Sequence, residues 1–221
     1  MPERDHYTWM SAKDVWHAAR FPFRYNEPMS GSDHVTSAGP GVKLTYEDFL
    51  LFPDDAKRHE LIDGEHYVTP TPKLTHQAVV GRLHLAIGNY LAATPIGRIL
   101  LSPLDVIISQ FDVVEPDLLY VSNERAPELL RDWVHGAPDL VVEVASDSTR
   151  KRDETIKRSL YERQGVVEYW IVDPEIDVLR MYRRNGDRFE RPVELSRAAG
   201  DVLTTALLPG LELPLSEIFE E

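Results

Sequence analysis

Two acidic residues inside apolar segments are the side chains of this sequence best suited to chemistry. Asp117 follows Pro116 in VVEPDLLYV, and Glu143 lies within APDLVVEVAS. A charged side chain in a segment that is typical of a buried strand is costly unless it is paired or binds a metal. Lys157 follows in a segment with helical spacing. Two carboxylates and a lysine in this order predict a divalent-metal site for phosphodiester chemistry.

The alternation of side chains along a strand gives this prediction a geometry. In a strand over 140–145, Glu143 leaves the same face as Val141 and Ala145, while Asp117 begins a second apolar strand. If the two strands are neighbours, the carboxylates approach within a few ångströms. Magnesium takes oxygen ligands at roughly 2.1 Å and is usually held by one or two carboxylates and water. We therefore expect Mg²⁺ or Mn²⁺ to be bound by Asp117, Glu143 and the main-chain carbonyl of Val144.

Asp139 is the rival for the first ligand, because it shares a face with Glu143. Four residues along a strand span roughly 13 Å, which is too far for one metal ion. We interpret Asp139 as a residue at the start of its strand.

The lysine belongs to a predicted helix over 149–164, with Ser148 as its N-cap and Gly165 after its end. One face of this helix carries polar groups at four-residue spacing: Asp153, Lys157 and Tyr161. We expect the opposite stripe, Ile156 and Leu160, to pack on the sheet. A lysine delivered to the carboxylates would orient a water molecule and stabilise developing charge.

Composition limits the partners of this chain. The formal net charge is −13, whereas proteins that bind nucleic acid usually carry a basic surface. The concentrated basic residues are Arg150, Lys151, Arg152, Lys157, Arg158 and Arg163. If DNA binds, we expect it there, weakly and with steep salt dependence. A solvated helix face is the competing interpretation.

The 221 residues contain no cysteine, which excludes disulfides, thiolate zinc sites and a cysteine nucleophile. We find no signal peptide and no segment with the length of a membrane-spanning helix, so we predict a cytoplasmic protein without a membrane partner. Apolar strands and N-terminal aromatic residues favour a homodimer.

The chain divides near residue 42 into an N-terminal arm and linker (1–41) and a domain (42–221). A short helix is plausible over Ser11–Arg20. Thr45 and Asp48 form a candidate capping box at the start of a short helix. The pattern then predicts a hairpin turning at Asp63-Gly64, a long helix, several strands, the helix over 149–164 and further strands. This order predicts an α/β fold with a mixed sheet flanked by helices.

Several segments together resemble one known family. They are LTYEDFL, HELIDGE, THQAVVGRL, EPDLLYV, APDLVVEVASDST, TRKRDETIKRSLYERQGVVEYWIVDP and LPGLELPLSEIF, which span residues 43 to about 220. They resemble the Uma-two family of restriction-endonuclease-like proteins, within the PD-(D/E)XK nuclease superfamily. The resemblance implies a restriction-endonuclease-like fold and a metal-dependent endonuclease that hydrolyses phosphodiester bonds of DNA. The alternative is a catalytically silent nuclease fold that binds nucleic acid or protein.

The resemblance also implies roles for single residues. Asp117 matches the first acidic position, and Glu143 matches the second. The lysine expected two residues later is replaced by Ala145, and Lys157 matches a lysine that has moved to the following helix. Glu60 matches an acidic residue from the first helix region, although it could instead pair with Arg58 or Lys57 at the surface. His76 and Tyr161 are candidates for residues that support these ligands.

Overall fold

Strands predominate in the computed structural model, which describes residues 42–53, 55 and 57–219. The predicted arm over 1–41, with its helix over Ser11–Arg20, lies outside these residues. The division of the chain near residue 42 therefore stays a prediction.

The helical segments alternate with strands along the chain. They are α1 Tyr46–Phe49, α2 Leu74–Ala93, α3 Ala126–Leu129, α4 Arg150–Arg152, a π-helical turn at Asp153–Lys157, α5 Arg158–Gln164 and α6 Leu215–Ile218. The strands are β1 Arg58–Ile62, β2 Glu65–Thr69, β3 Gly97–Leu101, β4 Val106–Ser109, β5 Asp112–Val114, β6 Leu118–Ser122, β7 Val134–His135, β8 Leu140–Val144, β9 Glu168–Asp173, β10 Val178–Asn185, β11 Arg188–Phe189, β12 Val193–Ser196, β13 Val202–Thr205 and β14 Leu208–Pro214.

The largest sheet has the strand order β11-β10-β9-β8-β6-β3, with β12 also paired to β10. Strands β8 and β9 are parallel, whereas β6 pairs with β8 and β10 pairs with β9 in the antiparallel direction. Parallel neighbours need a long crossover, and α4, the π-helical turn and α5 supply it. The predicted mixed α/β sheet is confirmed.

A second sheet has the order β2-β1-β5-β4-β7, and β13 and β14 form a separate hairpin. The turn between β1 and β2 lies at Asp63 and Gly64, whose φ angles are 52° and 75°. Positive φ at both central residues is what a tight two-residue hairpin requires. The predicted hairpin is therefore confirmed.

Two apolar clusters cover the two faces of the large sheet. Leu140, Val142 and Val144 belong to the cluster that includes α2, whereas Val141 and Ala145 belong to the cluster that includes α5. The predicted alternation along this strand is confirmed. It places Glu143 on the face covered by α5, since the side chains of neighbouring strand residues point to opposite faces.

Two details of the predicted crossover helix are wrong. Ile156 is 37% exposed, whereas Asp153, Lys157 and Tyr161 are buried. The polar stripe therefore faces the protein interior, and of the two apolar residues only Leu160 packs there. A π-helical turn differs from regular helical spacing, so helical periodicity alone misplaced Ile156. Ion pairs compensate the buried charges of the polar stripe. The helix also begins one residue later than expected, after Thr149 rather than Ser148.

Among the described helices, none combines the length and apolarity needed to cross a bilayer. The cytoplasmic location and the homodimer stay predictions.

Candidate functional site

Asp117 and Glu143 meet at one end of two neighbouring strands. In the antiparallel pair of β6 and β8, Leu118 is opposite Val142, so one further step along this register sets Asp117 opposite Glu143. Side chains opposite each other on one face have Cβ atoms about 5 Å apart. Both carboxylates are buried, with 2% and 3% of the residue surface exposed. The structure thus brings together the two acids that the sequence singled out.

The carboxylate of Asp117 accepts hydrogen bonds from three groups. Its Oδ2 accepts hydrogen bonds from the Val144 N–H at 2.8 Å and from His76 Nε2 at 3.1 Å, and Oδ1 accepts one from Arg58 Nη1 at 3.0 Å. Burial by itself raises the pKa of Asp117, but His76, Arg58 and the Val144 N–H outweigh it, so the pKa is lowered. Asp117 therefore carries its negative charge at neutral pH.

Glu143 lies in a different environment. Lys157 Nζ and the Tyr161 hydroxyl both donate to Oε1, at 2.9 Å and 2.8 Å. Burial raises the pKa of Glu143 to about 8, because the ammonium of Lys157 does not offset burial and the nearby carboxylates. Within the described residues Oε2 receives no hydrogen bond from another side chain or main-chain group. This oxygen can accept a proton, a water molecule or a cation.

Lys157 is an internal cation. It is 1% exposed, and its Nζ lies 2.7 Å from Glu60 Oε1 and 2.9 Å from Glu143 Oε1. Burial lowers the pKa of Lys157, but Glu143, Glu60 and Asp153 outweigh burial and raise it above its usual value. The helix thus places a positive charge on the sheet face that carries Ala145, the residue that replaces the lysine of the family pattern.

Glu60 does not lie at the surface. It is fully buried in β1, where Oε1 also accepts a hydrogen bond from the Glu115 N–H at 3.1 Å. The Oε2 atom is 3.5 Å from Arg152 Nη2 and makes no hydrogen bond within the described part of the chain. The alternative in which Glu60 pairs with Arg58 or Lys57 at the surface is therefore wrong.

Asp139 lies apart from this cluster. It pairs with Arg125 Nη1 at 3.0 Å and accepts a hydrogen bond from the Ser122 N–H at 2.8 Å. Both partners lie near the opposite end of β6, so its interpretation as a residue at the start of a strand is consistent with these contacts.

Sequence reasoning assigned no role to two residues that face the site. Arg58 begins β1 two residues before Glu60. Asp153 lies in the π-helical turn, where it is 1% exposed and its Oδ1 makes no hydrogen bond to any described residue. Burial raises the pKa of Asp153 to about 6. The two-residue spacing of Arg58 and Glu60 is a signal that could have placed them together, because such residues share a strand face. No local pattern indicates the π-helical turn.

Most of the basic residues predicted to contact DNA are engaged by other side chains of this protein. Arg150 pairs with Asp173 and Glu175, and Arg163 pairs with Asp112 at 3.3 Å. Arg152 reaches Thr69 and Glu60, Lys157 is buried, and the guanidinium of Arg158 lies over the Tyr182 ring. Lys151 and Arg163 are exposed, Arg150, Arg152 and Arg158 are half-buried, and Lys157 is buried.

A pocket of about 260 Å³ opens onto the acidic cluster. Its lining includes the predicted ligands and their partners: Arg58, His76, Asp117, Glu143, Val144, Arg152, Asp153 and Lys157. The loops 69–73 and 146–149 form the remaining wall. The pocket thus gives small polar ligands access to the cluster.

The residues around this pocket fit a hard divalent cation. The Val144 N–H points to Asp117, and in an extended strand the carbonyl of the same residue points to the same side. Asp117, Glu143 and this carbonyl together offer only oxygen donors, which Mg²⁺ and Mn²⁺ prefer. No group of three or more His, Cys, Asp and Glu side chains within the described ranges is arranged to hold a metal. The metal therefore stays a prediction.

Comparisons with known proteins agree with this architecture. A crystal structure of a "putative nuclease belonging to DUF820" from Anabaena variabilis superposes with a TM-score of 0.68 at 19% sequence identity, covering 80% of this chain and 97% of that chain. A similarity at this level of identity concerns the fold. No curated protein matches the sequence. The model of the Uma2 (Uma-two) family, described as "putative restriction endonuclease", matches residues 46–216. Since this match covers most of the chain, the protein belongs to the Uma2 family of putative restriction endonucleases.

Proposed function

We propose that this protein is a metal-dependent endonuclease that hydrolyses phosphodiester bonds of DNA. The observation that carries the proposal is the convergence of Asp117 and Glu143 on one sheet face, with the Nζ of Lys157 2.9 Å from Glu143 Oε1. The family description supports a nuclease, and the oxygen donors around the pocket support a divalent cation.

In this proposal each residue of the site has a distinct task. Asp117, Glu143 and the Val144 carbonyl would hold Mg²⁺ or Mn²⁺. A bound divalent cation activates a water molecule and neutralises charge that develops on the scissile phosphate. Lys157 holds a positive charge beside the reacting phosphate, and Glu60 orients Lys157 through the 2.7 Å contact with its Nζ.

Two residues support the ligands themselves. Tyr161 donates to Glu143 Oε1, which leaves Oε2 turned away from this hydrogen bond, and His76 donates to Asp117 Oδ2. Hydrogen bonds of this kind fix the orientation of ligating carboxylates.

The function is tested by incubating the full-length protein with supercoiled plasmid DNA. We expect nicking with Mg²⁺ or Mn²⁺ and none with an excess of chelator. The reason is that the anionic carboxylates repel a phosphate unless a cation lies between them. The gel assay is matched by calorimetric titration of Mn²⁺. Absence of Mn²⁺ binding at millimolar concentration would contradict the metal-dependent function.

Metal binding should depend on pH in a defined direction. A divalent cation binds the ionised carboxylate, and Glu143, with a pKa of about 8, holds a proton in the metal-free protein below that pH. The apparent Mn²⁺ affinity should therefore rise up to about tenfold per pH unit below the pKa of Glu143 and level off above it. Titration calorimetry in buffers of different ionisation enthalpy also measures the proton released. An affinity that falls as pH rises would exclude this role of Glu143.

A catalytically silent module that binds nucleic acid or protein is the second candidate function. The net charge of −13 and the alanine at position 145, where the family pattern has a lysine, favour this candidate. Both reduce the expected electrostatic attraction to phosphate groups. In that case the protein binds duplex DNA equally well with and without chelator and never nicks it.

A further inference from the structure

Arg58 connects the acidic cluster to the outside of the protein. Its Nη1 donates to Asp117 Oδ1 at 3.0 Å, its Nη2 donates to Ser102 Oγ at 2.8 Å, and its Nε lies 3.8 Å from Glu115 Oε2. The side chain is mostly buried, with 17% of its surface exposed to solvent. The family match and the resemblance in sequence assign no role to this residue.

The hydrogen bonds of Asp117 divide unevenly between its two oxygens. The Val144 N–H and His76 Nε2 both donate to Oδ2, which uses the two lone pairs of that atom. Among the described residues, Arg58 is the one donor to Oδ1, which therefore keeps one lone pair for a cation. A cation at Oδ1 would lie close to the guanidinium, and two positive charges at such a distance in a partly buried site repel each other.

Arg58 also lines a second cavity. Besides the pocket at the acidic cluster, Arg58 lines an adjoining cavity of about 440 Å³, and both share the wall formed by residues 69–72. Lys57, with a side chain 58% exposed and its Nζ 2.6 Å from Asp55 Oδ2, also lines this cavity, as does the carboxylate of Glu115. Arginine binds phosphate oxygens with its planar fork, and a neighbouring lysine adds charge. The adjoining cavity therefore offers a backbone phosphate two cationic side chains, Arg58 and Lys57, beside the carboxylate of Glu115.

We propose that Arg58 is the counterion of Asp117 in the metal-free protein, competes with the divalent cation for Asp117 Oδ1, and turns to a backbone phosphate of the nucleic acid in the adjoining cavity when the cation binds. This inference rests on the proposed endonuclease function. It makes Arg58 a positioning residue that couples metal binding to substrate binding.

The position of Asp117 does not depend on Arg58 alone. The Val144 N–H and His76 Nε2 donate to its Oδ2 at 2.8 Å and 3.1 Å. Loss of Arg58 therefore leaves the carboxylate in place with an Oδ1 open to a cation. If the pair of Arg58 and Asp117 had only a structural role, removal of the guanidinium would instead weaken the metal site.

The test compares full-length native protein with Arg58→Met, titrated with Mn²⁺ alone by calorimetry. We expect Arg58→Met to bind Mn²⁺ at least about tenfold more tightly, because a like charge has been removed from beside the ligand. Arg58→Lys is the matched control: it keeps a positive charge and should retain an affinity near that of the native protein. If circular dichroism shows that Arg58→Met folds poorly, Arg58→Gln replaces it in the titration. Glutamine also removes the positive charge, and its amide can still donate a hydrogen bond to Asp117.

A second measurement tests DNA binding. Fluorescence anisotropy of a DNA duplex, with Ca²⁺ in place of Mg²⁺ to hold cleavage back, should show about tenfold weaker binding by Arg58→Met and a salt dependence reduced by about one phosphate contact. Native Mn²⁺ binding combined with equal or weaker binding by Arg58→Met would overturn the role of Arg58 and leave the endonuclease proposal standing. Failure of both proteins to bind Mn²⁺ would overturn the endonuclease proposal as well.

Discussion

Replacing Glu143 by glutamine should abolish metal-dependent cleavage without unfolding the protein. The amide oxygen of glutamine still accepts the hydrogen bonds of Lys157 and Tyr161, but the variant no longer offers an anionic oxygen to a divalent cation. We expect the rate of plasmid nicking to fall at least about 100-fold, the scale seen when one electrostatic contribution to a transition state is lost. Mn²⁺ affinity measured by calorimetry should fall in parallel.

The stability of this variant separates loss of chemistry from loss of fold. The pKa of Glu143 is raised to about 8, so near pH 7 the metal-free protein holds this group mostly protonated. A neutral amide therefore replaces a mostly neutral carboxyl, and the melting temperature should not fall. Glu212→Gln makes the same change at an exposed position of β14 and should leave cleavage unchanged. If Glu143→Gln still nicks DNA at the native rate, Glu143 is not a ligand of the reacting metal.

Replacing Lys157 by methionine should produce the largest loss of stability. Lys157 is buried between Glu60 and Glu143, and methionine has a similar length but no charge. Removing one partner of a buried ion pair leaves an uncompensated buried charge, which costs about 3–5 kcal/mol. Urea unfolding followed by circular dichroism should show this decrease in the free energy of unfolding. Cleavage should be lost as well, since the site loses its internal cation.

The control lies in the same helical stretch. Lys151→Met removes an exposed lysine and should change the free energy of unfolding by less than about 0.5 kcal/mol. A double-mutant cycle identifies the partner: Glu60→Gln together with Lys157→Met should destabilise the protein less than the sum of the two single changes, because the stranded carboxylate is gone. Equal effects of Lys157→Met and Lys151→Met would mean that the lysine is not held in an ion-paired network.

Local patterns in the sequence predicted the parts of the site that depend on neighbouring residues. The alternation around Glu143 gave its sheet face, because strand side chains alternate with a period of two. The turn at Asp63 and Gly64 followed from residues that tolerate positive φ. Helical spacing placed Lys157 and Tyr161 on one face, and both are buried there.

The same patterns failed where distant parts of the chain interact. Helical periodicity predicted that Ile156 packs on the sheet, whereas the structure leaves Ile156 37% exposed. The polar stripe can be buried because Glu60, far away in the sequence, supplies the partner of Lys157. A charge on a helix is typical of a solvated face until its counterion is known.

The amino-acid sequence by itself determined the alternating strands, the hairpin turn, the crossover helix and the two acids with their lysine, because each depends on residue types at short spacing. Only the tertiary structure decided that Asp117 lies opposite Glu143, that Glu60 holds Lys157, and that Arg58 holds Asp117. The physical reason is that these contacts join side chains tens of residues apart, across strand pairings that no local pattern specifies. The buried charges are stable only because those long-range partners converge.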